Sequence, residues 1–129
     1  MTIVVAYADT PPGHAALRHG VTEAARRGED VVLVPAVRDR PLPDPGAIAQ
    51  RWPAVFEALQ ETGGKVSVET ADLQDPGDAV VQVAQWHDAS MIVVGLRHRS
   101  PVGKVLLGST AQRILLDATT PVLGVKADT

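Results

Sequence analysis

Between Gly95 and Thr110 the chain gathers residues well suited to holding an anion: Gly95, Arg97, His98, Arg99, Gly103, Lys104, Gly108, Ser109 and Thr110. Glycines let backbone N–H groups approach a ligand closely, because no Cβ stands in the way. A helix start adds N–H groups without partners and the positive end of the helix dipole. Arg97, Arg99 and Lys104 bring cations into a chain whose formal net charge is -3. Ser109 reads as the N-cap of the following helix, with a hydroxyl that can also face an anion. The loop is longer than most connections, as functional loops often are. The plain alternative is a solvated loop ahead of an ordinary helix cap, since anion-friendly helix starts are common.

The loop follows Met91 to Val94, an apolar run that reads as a buried strand, and precedes Ala111 to Leu116, which reads as a helix. The rest of the chain repeats that order. Residues 2–7 form a continuous apolar run, the mark of a strand buried on both faces. Thr10 and Pro11 predict a helix start, and Gly28 its end near Arg27, with Ala16, Leu17, Val21, Ala24 and Ala25 on one stripe. Residues 31–34 read as a second buried strand, followed by a polar, proline-rich loop. Asp44 and Pro45 open a helix to about Thr62, with Ile48, Val55, Phe56 and Leu59 as its apolar side, and Pro53 predicts a break near Trp52.

Residues 65–70 alternate polar and apolar, as in a half-exposed edge strand. Asp75 and Pro76 start another helix carrying Val80, Val81, Val83, Ala84 and Trp86. A helix over 109–118 and a strand over 121–125 complete the chain. Strand and helix alternate throughout, which predicts one α/β domain over residues 1–129 with a parallel sheet and right-handed crossovers. The first and fourth strands are the most continuously apolar and are expected at the centre. In such sheets the ligand crevice lies at the carboxyl ends of strands where their order reverses. The basic loop leaves the carboxyl end of the fourth strand, in agreement with that rule.

Composition narrows the classes. At 129 residues with 45% hydrophobic content the chain suits one globular core, and aromatics at 3% leave the packing to aliphatic groups. There is no cysteine, which excludes disulfides and thiolate chemistry. The pI near 5.7 argues against general nucleic-acid binding. No apolar run reaches the length of a membrane span, and the start does not resemble a signal peptide, so a cytoplasmic protein is expected.

Several motifs fail on inspection. Seven residues separate Gly95 from Gly103 where a Walker A loop has four, and Val105 stands where that loop needs Ser or Thr. No Gly-x-Gly-x-x-Gly follows a strand. His14 and His19 lie five apart on a helix, too splayed for a shared metal. Ser109 has no His or Asp close in sequence to activate it, and no base for water is recognisable, so no catalytic residue is assigned. Asp72, Asp75 and Asp78 read as capping residues.

The loop resembles the motif of the universal stress protein family: Gly, two residues, Gly, nine residues, then Gly followed by Ser or Thr. Gly95, position 98, Gly108 and Ser109 fall at that spacing. The likeness extends to the opening strand and helix, from Ile3 through Pro11 to Leu17, and to the closing segment from Ser109 to Val125. It implies an adenine nucleotide alpha hydrolase-like fold: five parallel strands in order 3-2-1-4-5, with helices on both faces. Many members bind ATP and others do not. The resemblance implies an adenine nucleotide, with or without magnesium, in the crevice between the first and fourth strands. Gly95 would turn the backbone into the crevice, and Gly108, Ser109 and Thr110 would donate to phosphate. Arg97 and His98 would neutralise charge, while Val94, Ala36, Tyr7, Ala8 and Asp9 would border base and ribose.

Two positions depart from the family pattern. His98 replaces the second glycine, and Ala8 stands where nucleotide-binding members usually carry Asp, with Asp9 one residue later. Neighbouring residues of an extended chain face opposite sides, so Asp9 is not an equivalent replacement. These departures leave open an alternative, a dimeric interaction protein with a vestigial pocket. In the implied strand order the last strand is an apolar edge, which predicts a homodimer through Val122, Leu123 and Val125.

Overall fold

The computed structural model describes residues 1–97 and 107–127. Its elements run β1 (Thr2–Tyr7), α1 (Pro11–Arg27), β2 (Asp30–Pro35), α2 (Pro45–Arg51), α3 (Pro53–Glu61), β3 (Val66–Val68), α4 (Pro76–Trp86), β4 (Met91–Leu96), α5 (Ser109–Asp117) and β5 (Val122–Lys126). Local chemistry sets most boundaries. Thr10 accepts the Gly13 N–H at 3.2 Å, and Gly28 ends α1 in the left-handed conformation at φ 67°. Pro53 ends α2 at Trp52 and opens α3, so the expected break separates two helices. The Asp75 carboxylate takes the N–H groups of Gly77 and Asp78 at 2.8 and 3.2 Å, as its reading as a cap requires.

The strands form one sheet in order β3-β2-β1-β4-β5, and every pairing is parallel. β1 lies in the middle, with Val5 beside Leu33 of β2 on one side and Val93 of β4 on the other. Alternate residues of β1 feed two cores. Ile3, Val5 and Tyr7 pack with Leu17, Phe56 and Leu59 on the face covered by α1 and α3. Val4 and Ala6 pack with Val80, Val83 and Ile114 on the face covered by α4 and α5. Burial on both faces explains the unbroken apolar runs, and the short β3, half exposed at the edge, explains its alternation.

Two readings of the sequence need correction. Gly108, not Ser109, is the N-cap of α5: it holds φ 83° and ψ 152°, Ser109 is the first helical residue, and no described side chain caps the turn. The positive φ suits glycine and no other residue at that junction. Trp86, counted among the apolar residues of α4, is 60% exposed because the buried side of that helix is formed by Ala79, Val80, Val83 and Ala84, and Trp86 points off it.

The first turn of α1 packs directly against the ends of two strands. A Cβ on Gly13 would lie 2.0 Å from the Ala8 carbonyl oxygen, and a Cβ on Gly95 would lie 2.0 Å from the Pro12 carbonyl oxygen. Gly95 is thus a strand residue that admits a neighbouring backbone, and it has no positive φ to account for. Gly95→Ala should lower unfolding stability in urea by about 2–4 kcal/mol, the range of a backbone overpacking that cannot relax cheaply. Gly28→Ala, which meets nothing within 4 Å and faces only its φ of 67°, should cost about 1 kcal/mol. Equal costs at the two positions would refute the close-approach account.

Candidate functional site

A crevice of about 630 Å³ opens at the carboxyl ends of β1, β2 and β4. The strand order reverses between β1 and β4, where the chain returns from β3, so this is the switch point expected for a ligand. Its floor is Ala6, Ala8 and Val94, one side is the first turn of α1, and the other is Gly108, Ser109, Thr110 and Ala111 at the start of α5. Ala36, Val37 and Arg38 close the far end after β2, and Gly95 and Arg97 the near end after β4.

The start of α5 carries the electrostatics. Among the described residues no side chain caps its N-terminus, and its first turn lines the crevice, where orphan N–H groups and the positive end of the helix dipole favour an anion. Arg97 reaches back over this turn: a Cβ added to Gly108 would stand 3.2 Å from its Nε. Thr110 is already engaged, since its hydroxyl donates to the Ala36 carbonyl at 2.8 Å. That bond ties α5 to the end of β2 and leaves Ser109 the freer hydroxyl of the turn. The Arg113 guanidinium grips Asp78 with two bonds of 2.8 and 3.1 Å, bracing α5 against the first turn of α4.

Of the residues expected at the site, Ala8, Ala36, Val94, Gly95, Arg97, Gly108, Ser109 and Thr110 meet around this crevice. Tyr7 and Asp9 do not line it, because strand alternation turns them to the α1–α3 side. There they border a separate cavity of about 180 Å³ with Arg51 and Ile48. Asp9 Oδ1 lies 2.7 Å from His14 Nε2 and 3.1 Å from Arg51 Nη1. The His14 ring and then Arg51 hold the Asp9 carboxyl below its ordinary range. Burial raises the pKa of the Tyr7 hydroxyl, and the neighbouring Trp52 indole N–H and the Arg51 guanidinium oppose that rise. His14 also packs on Trp52 at 5.1 Å between ring centres, so it is a structural residue of this cluster. His98, Arg99, Gly103 and Lys104 lie outside the described residues.

The structure adds Arg38, Val37 and Pro12 to the lining, none of which the sequence had singled out. A signal was present for Arg38, which follows the second strand by a few residues, where parallel strands point toward the same crevice. Among the described residues lining the crevice there are two arginines and no Asp or Glu. Among all described residues, no group of three or more His, Cys, Asp or Glu could hold a metal, and no helix is long and apolar enough to cross a membrane.

A parallel five-stranded sheet in order 3-2-1-4-5, with helices on both faces and a crevice at the switch point, defines the adenine nucleotide alpha hydrolase-like class of proteins. The model of the universal stress protein family matches residues 1–126, and the chain belongs to that family. A universal stress protein of Mycolicibacterium smegmatis is 38% identical over 125 residues, 96% of each chain. Among solved structures, a universal stress protein from Archaeoglobus fulgidus matches with a TM-score of 0.70 and 26% identity over 97% of both chains. A second structure from that organism, a universal stress protein in complex with dAMP, matches with a TM-score of 0.62 and 22% identity over 97% of this chain and 96% of that one.

The brace between α4 and α5 sets a pH dependence. Hydrogen bonds from Arg113 hold the Asp78 carboxyl below its ordinary value of 3.8. A carboxyl lowered on folding adds stability above its unfolded pKa and loses it as the pH falls through the folded one. Asp78→Asn should therefore be less stable than wild type at pH 6, with the gap closing below about pH 3.8 as wild-type Asp78 takes up its proton. Urea unfolding of both proteins across that range checks this, and a gap independent of pH would refute it.

Proposed function

We propose that this protein binds ATP or a related adenine nucleotide in the crevice between β1 and β4 and acts as a small cytoplasmic stress-response protein. The phosphates rest on the N–H groups of Gly108, Ser109 and Thr110, with Arg97 as counter-charge. The observation that carries this reading is the start of α5, which no described side chain caps, lining the switch-point crevice with Arg97 folded over it. Ala36, Val37, Val94 and Ala8 offer apolar walls for the base. Tyr7 and Asp9 belong to the neighbouring cavity with Arg51 rather than to this site, and His98 of the basic loop is a further donor proposed for the phosphate. The dAMP held by the Archaeoglobus fulgidus family member supports the ligand class. The described lining residues include no carboxylate to hold a resident metal, so magnesium would arrive on the nucleotide's own phosphates. No residue is assigned to catalysis.

Purified, gently denatured protein should release an adenine nucleotide detectable by mass spectrometry. The alternative, an interaction protein with an empty crevice, is favoured by Ala8 and His98 and predicts no nucleotide and no heat of binding with ATP, AMP or cyclic AMP. Gly108→Val would place a branched side chain at a φ of 83° beside Arg97. It should weaken nucleotide binding at least tenfold, about 1.4 kcal/mol. Unchanged affinity in a folded variant removes the phosphate from α5.

Assembly follows from the other end of the sheet. β5 is an edge strand, and Leu123 on it is 38% exposed. We read the protein as a homodimer in which β5 pairs antiparallel with its copy about a two-fold axis. Val125 is already 7% exposed within the protomer, so the seam rests on Val122 and Leu123. Leu123→Lys should shift the protein toward monomer in sedimentation equilibrium, because a charge would be buried at the seam. A wild-type monomer at high micromolar concentration would overturn the dimer and leave the nucleotide reading standing.

A further inference from the structure

The charges of the crevice are arranged in a way that the proposed nucleotide does not by itself explain. Arg97 and the start of α5 form one positive end, beyond β4. Arg38 forms another, beyond β2, on the opposite flank of the central β1. Neighbouring parallel strands lie about 4.8 Å apart, so the ends of β2 and β4 are separated by about 10 Å. Among the described residues Arg38 pairs with Asp39, at 3.7 Å, and both side chains are largely solvated. Such an exposed pair holds its arginine weakly.

Between the two arginines the lining carries no acidic side chain among the described residues. A ribose with free hydroxyls is normally met by a carboxylate, which accepts from them. Here no such carboxylate stands among the described lining residues. In dinucleotide sites, exchanging the ribose carboxylate for a nearby arginine converts recognition of a hydroxyl into recognition of a phosphate. The guanidinium fork suits that group, since it can donate two parallel hydrogen bonds to phosphate oxygens.

We propose that the crevice is built for an adenine nucleotide that carries a second phosphate on its ribose, with Arg38 the residue that selects it. The ligand class is a nucleoside bisphosphate of the 3′,5′ or 2′,5′ type. Its 5′-phosphate rests on the start of α5 beside Arg97, and its ribose phosphate meets Arg38. This inference rests on the proposed nucleotide site and goes beyond it in naming the charge pattern of the ligand.

The test compares ligands with the same number of phosphates in different places. ADP, adenosine 3′,5′-bisphosphate, adenosine 2′,5′-bisphosphate and AMP are titrated calorimetrically into the full chain at fixed ionic strength. One of the bisphosphates should bind at least tenfold more tightly than ADP. In Arg38→Gln that ratio should fall to about one, whereas in Arg38→Lys part of it should survive. Two bisphosphates that bind no better than ADP, or a preference that survives intact in Arg38→Gln, would overturn the proposal and leave the nucleotide site in place. A failure of all four ligands to bind would overturn both.

Discussion

Two missing side chains hold the upper end of this molecule together. Gly13 and Gly95 let the first turn of α1 rest on the carbonyl of Ala8 and bring the Pro12 carbonyl against β4. Any Cβ at either position would meet a backbone atom, which has no rotamer to escape into. The crevice depends on that approach. Its floor is the ends of β1 and β4, and one of its walls is the same helical turn. Pro11 and Pro12 occupy helix positions whose N–H groups would have been orphans, so the turn is stiff as well as close. A stiff wall keeps the space between α1 and α5 open when nothing fills it.

The opposite wall is held by different means. α5 starts from a glycine in a conformation closed to other residues and is tied down at two points, to Ala36 through Thr110 and to Asp78 through Arg113. The first bond reaches across the sheet, from a helix that follows β4 to the end of β2. The second joins neighbouring helices on the solvent side, where a pair gains little from charge alone. Together they fix the direction in which the N–H groups of the first turn point. Pre-set donors of this kind bind an anion without a reorganisation cost at the moment of contact.

Much of this was readable in advance. Thr10, Asp44 and Asp75 before their prolines, Gly28 after α1 and Pro53 at the helix break each act within a few residues, and each ended or began an element where expected. The misreadings share a cause. Ser109 is a good N-cap by type, but the cap is decided by φ and ψ, and the chain places those values on Gly108. Trp86 is apolar and lies on α4, but the core contacts of its last turn are taken by Val83 and Ala84, and Trp86 falls to the exposed side. Gly95 was read as a turn residue because it opens a loop, whereas its contact lies across the fold, with Pro12.

The sequence by itself determined the alternation of elements, their caps, the two-faced burial of the central strands and the glycine–serine junction that marks the family. These are local or periodic properties, set by backbone preferences and the spacing of apolar groups. Only the tertiary structure decided which side chains share the crevice. It turned Tyr7 and Asp9 away from it, because adjacent strand residues face opposite layers, and gave Asp9 to His14 and Arg51. It brought Arg38 in, engaged the Thr110 hydroxyl with Ala36 and left the lining with cations alone among its described charged groups. Those choices depend on which strand lies beside which and on the height at which each helix starts. They are sums of contacts between residues far apart in the chain, which no short window of sequence contains.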